Sequence, residues 1–269
     1  MKNILITGST DGIGKETARR LAAADFRIWI HGRNDSRLQK TCNEIKEETG
    51  NQEIETVRAD FSSLKEVKRM SMELFQRMEQ LDVLINNAGV MSDFQENTID
   101  GYDRTFQVNY LSPFLLTNLL LPLMKESEQG RIIHVASMIH SKEIDFDNLT
   151  FSKQYTGSLS YSATKLYNIL FSNKLARMLS GGKITSNSLH PGVINTKLLR
   201  QNFGNMGDSV ERGTETPVYL ASAAGAAKYS GKYFSNSHLA KPAGLAGDKQ
   251  VQDRLWNESL RMVSNYLSG

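Results

Sequence analysis

The sequence has little of what defines disulfide-stabilised, membrane-spanning or nucleic-acid-binding proteins. Cys42 is the one cysteine among 269 residues, so an internal disulfide is excluded and a reducing compartment is expected. The longest apolar stretch, residues 113–124, is too short to span a bilayer. The net charge is only +3 and both signs are interspersed, which argues against nucleic acid as a partner.

Two further absences concern targeting and metal binding. No signal peptide precedes the first apolar run, which begins at Ile4, so we expect a cytoplasmic protein without a membrane span. The histidines lack the spacing of metal ligands, and no metal site is predicted. They are interpreted as core or surface residues: His31, His134, His140, His190 and His238.

What the sequence does contain is enough apolar material for a folded core. Hydrophobic residues make up 39% of the chain and charged residues 23%, so extended disorder is not expected. The length suits one large α/β domain, which we predict to comprise residues 1–269.

Short apolar runs of β-forming residues alternate with longer segments of helical period. The predicted strands are 4–7, 26–30, 54–59, 81–85, 131–136, 184–189 and 232–235. The predicted helices are 14–24, 35–49, 62–79 with Ser62 as its cap, 103–124, 161–179 and 215–227. This alternation predicts a Rossmann-type, doubly wound parallel sheet of about seven strands with helices on both faces.

Two irregular segments, 138–159 and 198–214, follow the fifth and sixth strands and are expected at the carboxyl edge of the sheet, where such folds bind ligands. Gly204, Gly207 and Gly213 would let the second segment move as a lid. The apolar side chains of the two segments either line a hydrophobic pocket or pack the loops onto the core. Met91 and Phe94, which follow the fourth strand, belong to the same group. The residues of the two segments are Met138, Ile139, Phe146, Leu149, Phe151, Tyr155, Leu198, Leu199, Phe203 and Met206.

A glycine-rich turn directly follows the first strand and opens the first helix. Such a turn lets the backbone approach a pyrophosphate, and the helix N-terminus favours the anion. An ordinary strand-to-helix turn is the alternative, but the position at the first βα junction favours nucleotide binding. The residues are Gly8, Ser9, Thr10, Asp11, Gly12, Ile13 and Gly14.

The end of the second strand indicates which nucleotide binds. No carboxylate, which would bind a ribose 2′-hydroxyl in NAD, occurs before Asp35, whereas Arg33 can bind a 2′-phosphate with its planar guanidinium. Ser9 adds a hydroxyl donor and Lys15 adds positive charge. NADP is therefore favoured over NAD, and the alternative for Arg33 is a solvated loop position.

Tyr161 and Lys165 are four residues apart on one predicted helix, so they share a face. A nearby ammonium would lower the pKa of the phenol from its ordinary value near 10, and a cationic nicotinamide would act in the same direction. Such a phenol can exchange a proton with a carbonyl or alcohol oxygen. The pair is frequent by chance, so its weight comes from Ser137 and the Asn87 segment, which end neighbouring strands.

Taken together, these motifs resemble the short-chain dehydrogenase/reductase family over essentially the whole chain. The resemblance implies that Asn109, Ser137, Tyr161 and Lys165 form a catalytic tetrad. Tyr161 would be the acid/base, and Ser137 would orient the substrate oxygen. Lys165 would tune Tyr161 and bind the nicotinamide ribose, and Asn109 would hold a water of the proton relay. The glycine turn corresponds to Gly8, Gly12 and Gly14, and the structural motif to Asn86, Asn87, Ala88 and Gly89.

The same resemblance assigns further cofactor contacts. The loop after the sixth strand would hold the carboxamide, and the pair after the third strand would bind adenine. The loop residues are Pro191, Gly192, Ile194 and Thr196, and the adenine pair is Asp60 and Phe61. Segments 12–18, 147–149 and 188–193 are most similar to the retinol dehydrogenase-like branch. Membrane-bound members of that branch have an N-terminal anchor that is not found here, which weakens the expectation of a retinoid substrate.

The expected function is NADP-dependent hydride transfer involving a small apolar alcohol, aldehyde or ketone. Two alternatives stay open: an NADPH-sensing regulator without turnover, and a nucleotide-sugar epimerase or dehydratase. A homodimer is also expected, because the Tyr161 helix has more apolar residues than one sheet face would bury. They are Leu166, Ile169, Leu170, Leu175 and Leu179.

Overall fold

The computed structural model describes residues 1–267, so Ser268 and Gly269 of the predicted domain lie outside the described residues. One sheet runs through the described part of the chain, in the order β3-β2-β1-β4-β5-β6-β7-β8. Its strands are β1 (Asn3–Ile6), β2 (Arg27–Gly32), β3 (Ile54–Arg58), β4 (Val83–Asn86), β5 (Gly130–Val135), β6 (Ile184–His190), β7 (Tyr233–Ser235) and β8 (His238–Ala240).

Helices connect the strands and cover both faces of the sheet. They are α1 (Gly12–Ala22), α2 (Asp35–Thr49), α3 (Leu64–Arg77), α4 (Arg104–Phe106), α5 (Ser112–Lys125), α6 (Gly157–Met178), α7 (Lys197–Phe203), α8 (Val210–Gly213), α9 (Glu215–Ser222) and α10 (Lys249–Leu267). The predicted doubly wound α/β fold is therefore confirmed.

The strand pairing explains where the ligand edge lies. β1 through β7 are parallel, and β1 pairs with both β2 and β4, so the chain reverses its direction of winding between β1 and β4. The carboxyl ends of all seven strands consequently meet at one edge. Crevices for ligands form at such a reversal point.

Two apolar cores flank the sheet, because each strand sends alternate side chains to opposite faces. One core packs α3, α5, α6 and α10 on the face that carries Leu84 and Ile132. The other packs α1, α2 and α9 on the face that carries Ile6 and Ile85. Buried side chains on both faces give the parallel strands their nearly continuous apolar runs.

Within the described residues the sheet has eight strands rather than about seven. The additional strand, β8, pairs antiparallel with β7 through a tight turn whose residues Asn236 and Ser237 have positive φ angles of 49° and 60°. Such short hairpins with polar side chains give weak periodicity. The third helix is also shifted, because the Ser63 side chain, not that of Ser62, accepts from the Glu66 backbone N–H and caps it.

The predicted helix 103–124 contains an irregularity at a functionally important position. Between α4 and α5 the backbone forms a π-helical turn over Gln107–Leu111, and Asn109 lies at its centre. Such turns often occur at functional sites. The N-terminus of this helix is capped by Asp103, whose carboxylate accepts from the Phe106 N–H and from the Ser160 hydroxyl of α6.

Helix α10 was not predicted from the sequence, and it covers α6 and α5. Trp256 packs its ring 5.0 Å from that of Phe114 and 5.9 Å from that of Phe171. Leu166, Ile169, Leu170 and Leu175 of α6 are fully buried. The apolar surface that suggested a homodimer is thus covered within the chain, and the dimer stays a prediction.

Within residues 1–267, no helix combines the length and the apolar character needed to cross a bilayer.

Replacing Trp256 by alanine should lower the free energy of unfolding by about 3–5 kcal/mol, because a large buried ring between α5 and α6 is lost. Urea denaturation measures this change. Met72→Ala, at a side chain that is 55% exposed, serves as the control and should change the value by less than about 0.5 kcal/mol. Equal small effects of both substitutions would mean that α10 does not brace α6.

Candidate active site

The glycine-rich turn is packed tightly against the loop that follows β4. Gly8 has a φ of +63°, and a Cβ there would lie 2.8 Å from the Ala88 Cα. A Cβ at Gly14 would lie 2.4 Å from both the Asn87 Nδ2 and the Gly8 carbonyl oxygen. Only glycine fits these two positions. The predicted phosphate turn and the predicted Asn87–Ala88–Gly89 segment are therefore adjacent.

Hydrogen bonds fix this contact. The Asn87 side-chain amide donates to the carbonyl oxygens of Thr7 (2.8 Å) and Gly8 (3.1 Å). The Thr7 hydroxyl accepts from the backbone N–H groups of Asn87 (2.9 Å) and Ala88 (3.0 Å). Sequence reasoning missed Thr7, although a hydroxyl residue directly before the first glycine was the available signal.

Within the turn, the polar side chains serve the backbone. The Ser9 hydroxyl was expected to reach a phosphate, but it is buried and donates to the Ile6 carbonyl at 2.8 Å. Asp11 caps α1 by accepting from the Gly12 N–H at 2.8 Å. Ile13 lies against the predicted lid, since its Cγ1 would be 3.1 Å from a Cβ at Gly213.

Of the two basic side chains expected near the end of β2, one forms an ion pair and the other does not. Lys15, expected to add positive charge to the phosphate region, instead pairs with Glu44 at 2.6 Å. Arg33 is exposed, and its guanidinium makes no hydrogen bond or ion pair with any other residue between 1 and 267. Thr10 lies beside this strand end, because its Cγ2 would be 2.8 Å from a Cβ at Gly32.

The predicted adenine pair follows β3. Asp60 is half-buried and accepts from the Ser62 N–H at 2.8 Å. The Phe61 ring is buried and stacks on the His31 ring, with 4.4 Å between centroids. The Phe61 carbonyl accepts from the Ser112 hydroxyl at 2.7 Å, which fixes this segment to the start of α5.

Tyr161, Lys165 and Ser137 converge at the carboxyl ends of β5 and β4. The Ser137 hydroxyl hydrogen-bonds the Tyr161 phenol. The Lys165 Nζ lies 5.3 Å from the centroid of the Tyr161 ring and donates to the Val135 carbonyl at 2.9 Å. The predicted spacing on one helix face therefore produces the expected proximity.

Asn109 is held beside this group by the π-helical turn. Its Oδ1 accepts from the Val90 N–H at 2.7 Å, and its Nδ2 donates to the Val90 carbonyl at 2.9 Å and to the Thr164 hydroxyl at 3.2 Å. A Cβ at Gly89 would lie 3.6 Å from both the Asn109 Oδ1 and the Lys165 Nζ. The four residues predicted as a tetrad thus border the same small space.

The electrostatics of the pair differ from the expectation that Lys165 lowers the pKa of Tyr161. Removal from water raises the pKa of Tyr161 to about 12, although the hydrogen bond from Ser137 opposes this shift. Burial lowers the pKa of Lys165 to about 8. Burial is the largest cause of both shifts, and the phenol is protonated at neutral pH.

The loop after β6 lies against the phosphate turn. A Cβ at Gly12 would be 3.5 Å from the Thr196 Cγ2, and Gly192 has a φ of +106° next to Pro191. Ile194 is buried and forms a bridge with Asp208 of the predicted lid. The Thr196 hydroxyl accepts from the Leu199 N–H and caps α7.

Some apolar residues of the irregular segments pack onto the core, and others are exposed and available to line a pocket. Leu149 and Phe151 are buried in the core, whereas Met138 and Ile139 are exposed after Ser137. In the second segment Met206 is exposed, and the Phe203 side chain lies outside what the structure describes.

A cavity of about 510 Å³ lies under the first segment, but it does not adjoin the tetrad. It is lined by Leu159, Ala163 and Tyr167 of α6. These residues are offset by two positions from Tyr161 and Lys165, which is about 200° around the helix. The cavity therefore lies on the opposite side of α6.

Comparison with known proteins gives consistent relatives. The family model for short chain dehydrogenases matches residues 2–206. Retinol dehydrogenase 13 of Homo sapiens is 37% identical over 279 residues, covering 97% of this chain and 84% of that protein. Retinol dehydrogenase 11 of Homo sapiens is 36% identical over 272 residues, covering 97% and 86%.

Solved structures share the fold. A chain from Mycobacterium paratuberculosis has a TM-score of 0.80 at 26% identity, covering 98% of this chain and 94% of that one. An Escherichia coli CFT073 chain, solved in complex with NADPH, has a TM-score of 0.73 at 23% identity, covering 88% and 97%. At the latter identity the likeness concerns the fold alone.

Replacing Lys165 by methionine should stabilise the protein at pH 7. The pKa of Lys165 is about 8 in the folded chain against 10.5 ordinarily. Below pH 8 the charged Lys165 therefore lowers the free energy of unfolding by about 3 kcal/mol. This cost disappears as the pH rises from 8 to 10.5. With the lost Val135 bond included, urea denaturation should give a gain of about 2 kcal/mol at pH 7 that shrinks at pH 10.

The exposed Lys40 provides the matched control, with 76% of its side chain accessible. Lys40→Met should alter the unfolding free energy similarly at both pH values. A Lys165→Met protein that is destabilised equally at pH 7 and pH 10 would contradict the assigned cost of burying this ammonium.

Proposed function

Because this chain belongs to the short-chain dehydrogenase family, in its retinol dehydrogenase-like branch, we propose that it is an NADP-dependent oxidoreductase of apolar carbonyl compounds and the corresponding alcohols. The observation that carries the proposal is the convergence of Asn109, Ser137, Tyr161 and Lys165 beside the glycine-rich turn.

The proposed cofactor is NADP, and the residues present fit it. The backbone around Gly8 and Gly14 leaves no room for side chains and lies at the N-terminus of α1, where a pyrophosphate is favoured. Arg33 has a guanidinium without a partner among residues 1–267, at the strand end where a 2′-phosphate would bind. When bound, a nicotinamide cofactor supplies the hydride.

The chain's own contribution is to orient the substrate oxygen and to move a proton. The Ser137 hydroxyl and the Tyr161 phenol are neighbours, so each can donate its proton to one carbonyl oxygen bound between them. Because burial raises the pKa of Tyr161 to about 12, the phenol holds its proton at neutral pH and donates it to the oxygen that becomes an alkoxide.

Lys165 and Asn109 are proposed to support that step. The Lys165 ammonium, 5.3 Å from the phenol ring, stabilises the phenolate left after proton donation. The bonds of Asn109 to Val90 and Thr164 hold its carboxamide near Lys165, where it can order the water that returns a proton.

The proposed substrate is a small apolar aldehyde, ketone or alcohol. Met138 and Ile139, which directly follow Ser137, are exposed at the carboxyl edge and offer apolar contact. The two named human relatives are retinol dehydrogenases, so retinal and shorter apolar aldehydes are the first compounds to test.

Tyr161→Phe should lower the turnover number for NADPH-dependent aldehyde reduction by about 10²–10⁴-fold, because the proton donor is lost. NADPH affinity should change little. Tyr167→Phe is the matched control, since it removes a hydroxyl from another face of the same helix, about 120° away, and it should retain the wild-type rate. Wild-type turnover by Tyr161→Phe would refute the role of the phenol.

Arg33→Asp should weaken NADPH binding by about 10–100-fold and improve the relative use of NADH, because a charge-assisted bond to the 2′-phosphate becomes repulsion. The ratio of kcat/KM for the two cofactors measures this shift. Arg27→Asp makes the same charge change at the other end of β2 and should leave the ratio unchanged. An unaltered ratio in Arg33→Asp would remove this residue from the site.

A further inference from the structure

His31 lies where three segments of the proposed cofactor site meet. It is a residue of β2, two positions before Arg33, and its side chain is buried. The glycine-rich turn lies on one side of the ring, and the Ala59–Asp60–Phe61 segment lies on the other. From the sequence, this histidine is interpreted only as a core or surface residue.

Both ring nitrogens of His31 are used, and one tautomer satisfies both bonds. Nδ1 accepts from the Gly8 N–H at 3.0 Å, so the ring proton is on Nε2, which donates to the Ala59 carbonyl at 3.0 Å. Burial lowers the pKa of His31 to about 4, which keeps the ring neutral. The ring therefore links the phosphate turn to the end of β3.

The face and the backbone of His31 add two further contacts. The ring stacks on Phe61, with centroids 4.4 Å apart and planes inclined by 30°. The backbone N–H donates to the Ser9 hydroxyl at 2.9 Å, and its carbonyl accepts from the Ser9 N–H at 2.9 Å. Gly8 and Phe61 thus have their positions set through a single side chain.

We propose that His31 is a positioning residue for the dinucleotide, an inference that rests on the proposed function. By holding Gly8 on one side and Ala59 and Phe61 on the other, it sets the distance between the phosphate turn and the adenine edge. The affinity for the adenosine half of the cofactor depends on this distance, whereas the tetrad at β4, β5 and α6 does not.

The two amide variants separate the two bonds. In His31→Asn the carboxamide oxygen can still accept from the Gly8 N–H, whereas in His31→Gln the longer amide reaches only toward Ala59. We expect the NADPH Kd to rise about threefold in His31→Asn and about tenfold in His31→Gln and His31→Ala. The kcat at saturating NADPH should stay within about twofold of the wild type.

Two readouts distinguish positioning from general loss of structure. The Kd of 2′,5′-ADP, which has only the adenosine half, should rise by the same factor as that of NADPH. His134→Asn is the matched control, because His134 is an equally buried histidine of β5 on the α6 side of the sheet. It should lower the melting temperature but leave the NADPH Kd within twofold.

Three results would overturn the inference: an unchanged NADPH Kd in His31→Gln, an equal rise in His134→Asn, or an unchanged affinity for 2′,5′-ADP while that for NADPH falls. If His31→Ala does not fold, the amide variants decide. A wild-type protein that binds no dinucleotide would refute both proposals, whereas NADPH binding without turnover would refute only the proposed function.

Discussion

The burial of one ammonium group is the constraint on which the active-site edge depends. Lys165 is 4% exposed and, among residues 1–267, has a single backbone carbonyl as its hydrogen-bond partner, so its charged form is unfavourable in the folded protein. The packing of α6 has to supply the compensating free energy. Between the sheet and α10, this helix buries Leu166, Ile169 and Leu170 completely.

The rest of the site is arranged around that helix. Asp103 bonds Ser160 near the start of α6, and Asn109 bonds Thr164 one turn later. The helix that carries Asn109 is therefore tied to the helix that carries Tyr161 and Lys165. Because α10 packs on both α5 and α6, a distant part of the chain helps to keep these groups within reach of each other.

Sheet topology supplies the other half of the site. The reversal between β1 and β4 places the glycine-rich turn next to the Asn87 segment, and the Thr7 hydroxyl and the Asn87 amide fix the contact. On the far side of the turn, His31 connects Gly8 to the end of β3. The turn is thus held from both neighbouring strands, which keeps its amide groups oriented before any anion binds.

Local patterns predicted much of this arrangement. The glycine spacing located the turn, and the four-residue spacing of Tyr161 and Lys165 predicted a shared face. The π-helical turn at Asn109 was not predictable, because packing between α5 and α6 decides its backbone. The raised pKa of Tyr161 was missed for a similar reason: the spacing reveals a neighbouring charge, but burial depends on the whole fold.

The central claim is that this chain passes a hydride from a nicotinamide to a carbonyl carbon while its own phenol supplies the proton. Deuterium tracing tests it most directly: the wild-type protein is incubated with NADPH deuterated at nicotinamide C4 and with retinal or a shorter apolar aldehyde. Mass spectrometry should find one deuterium on the carbinol carbon of the alcohol. If both C4 hydrogens of the NADPH are replaced by deuterium, an alcohol without deuterium would contradict this claim. The formation of no alcohol from any aldehyde of the series would contradict it as well.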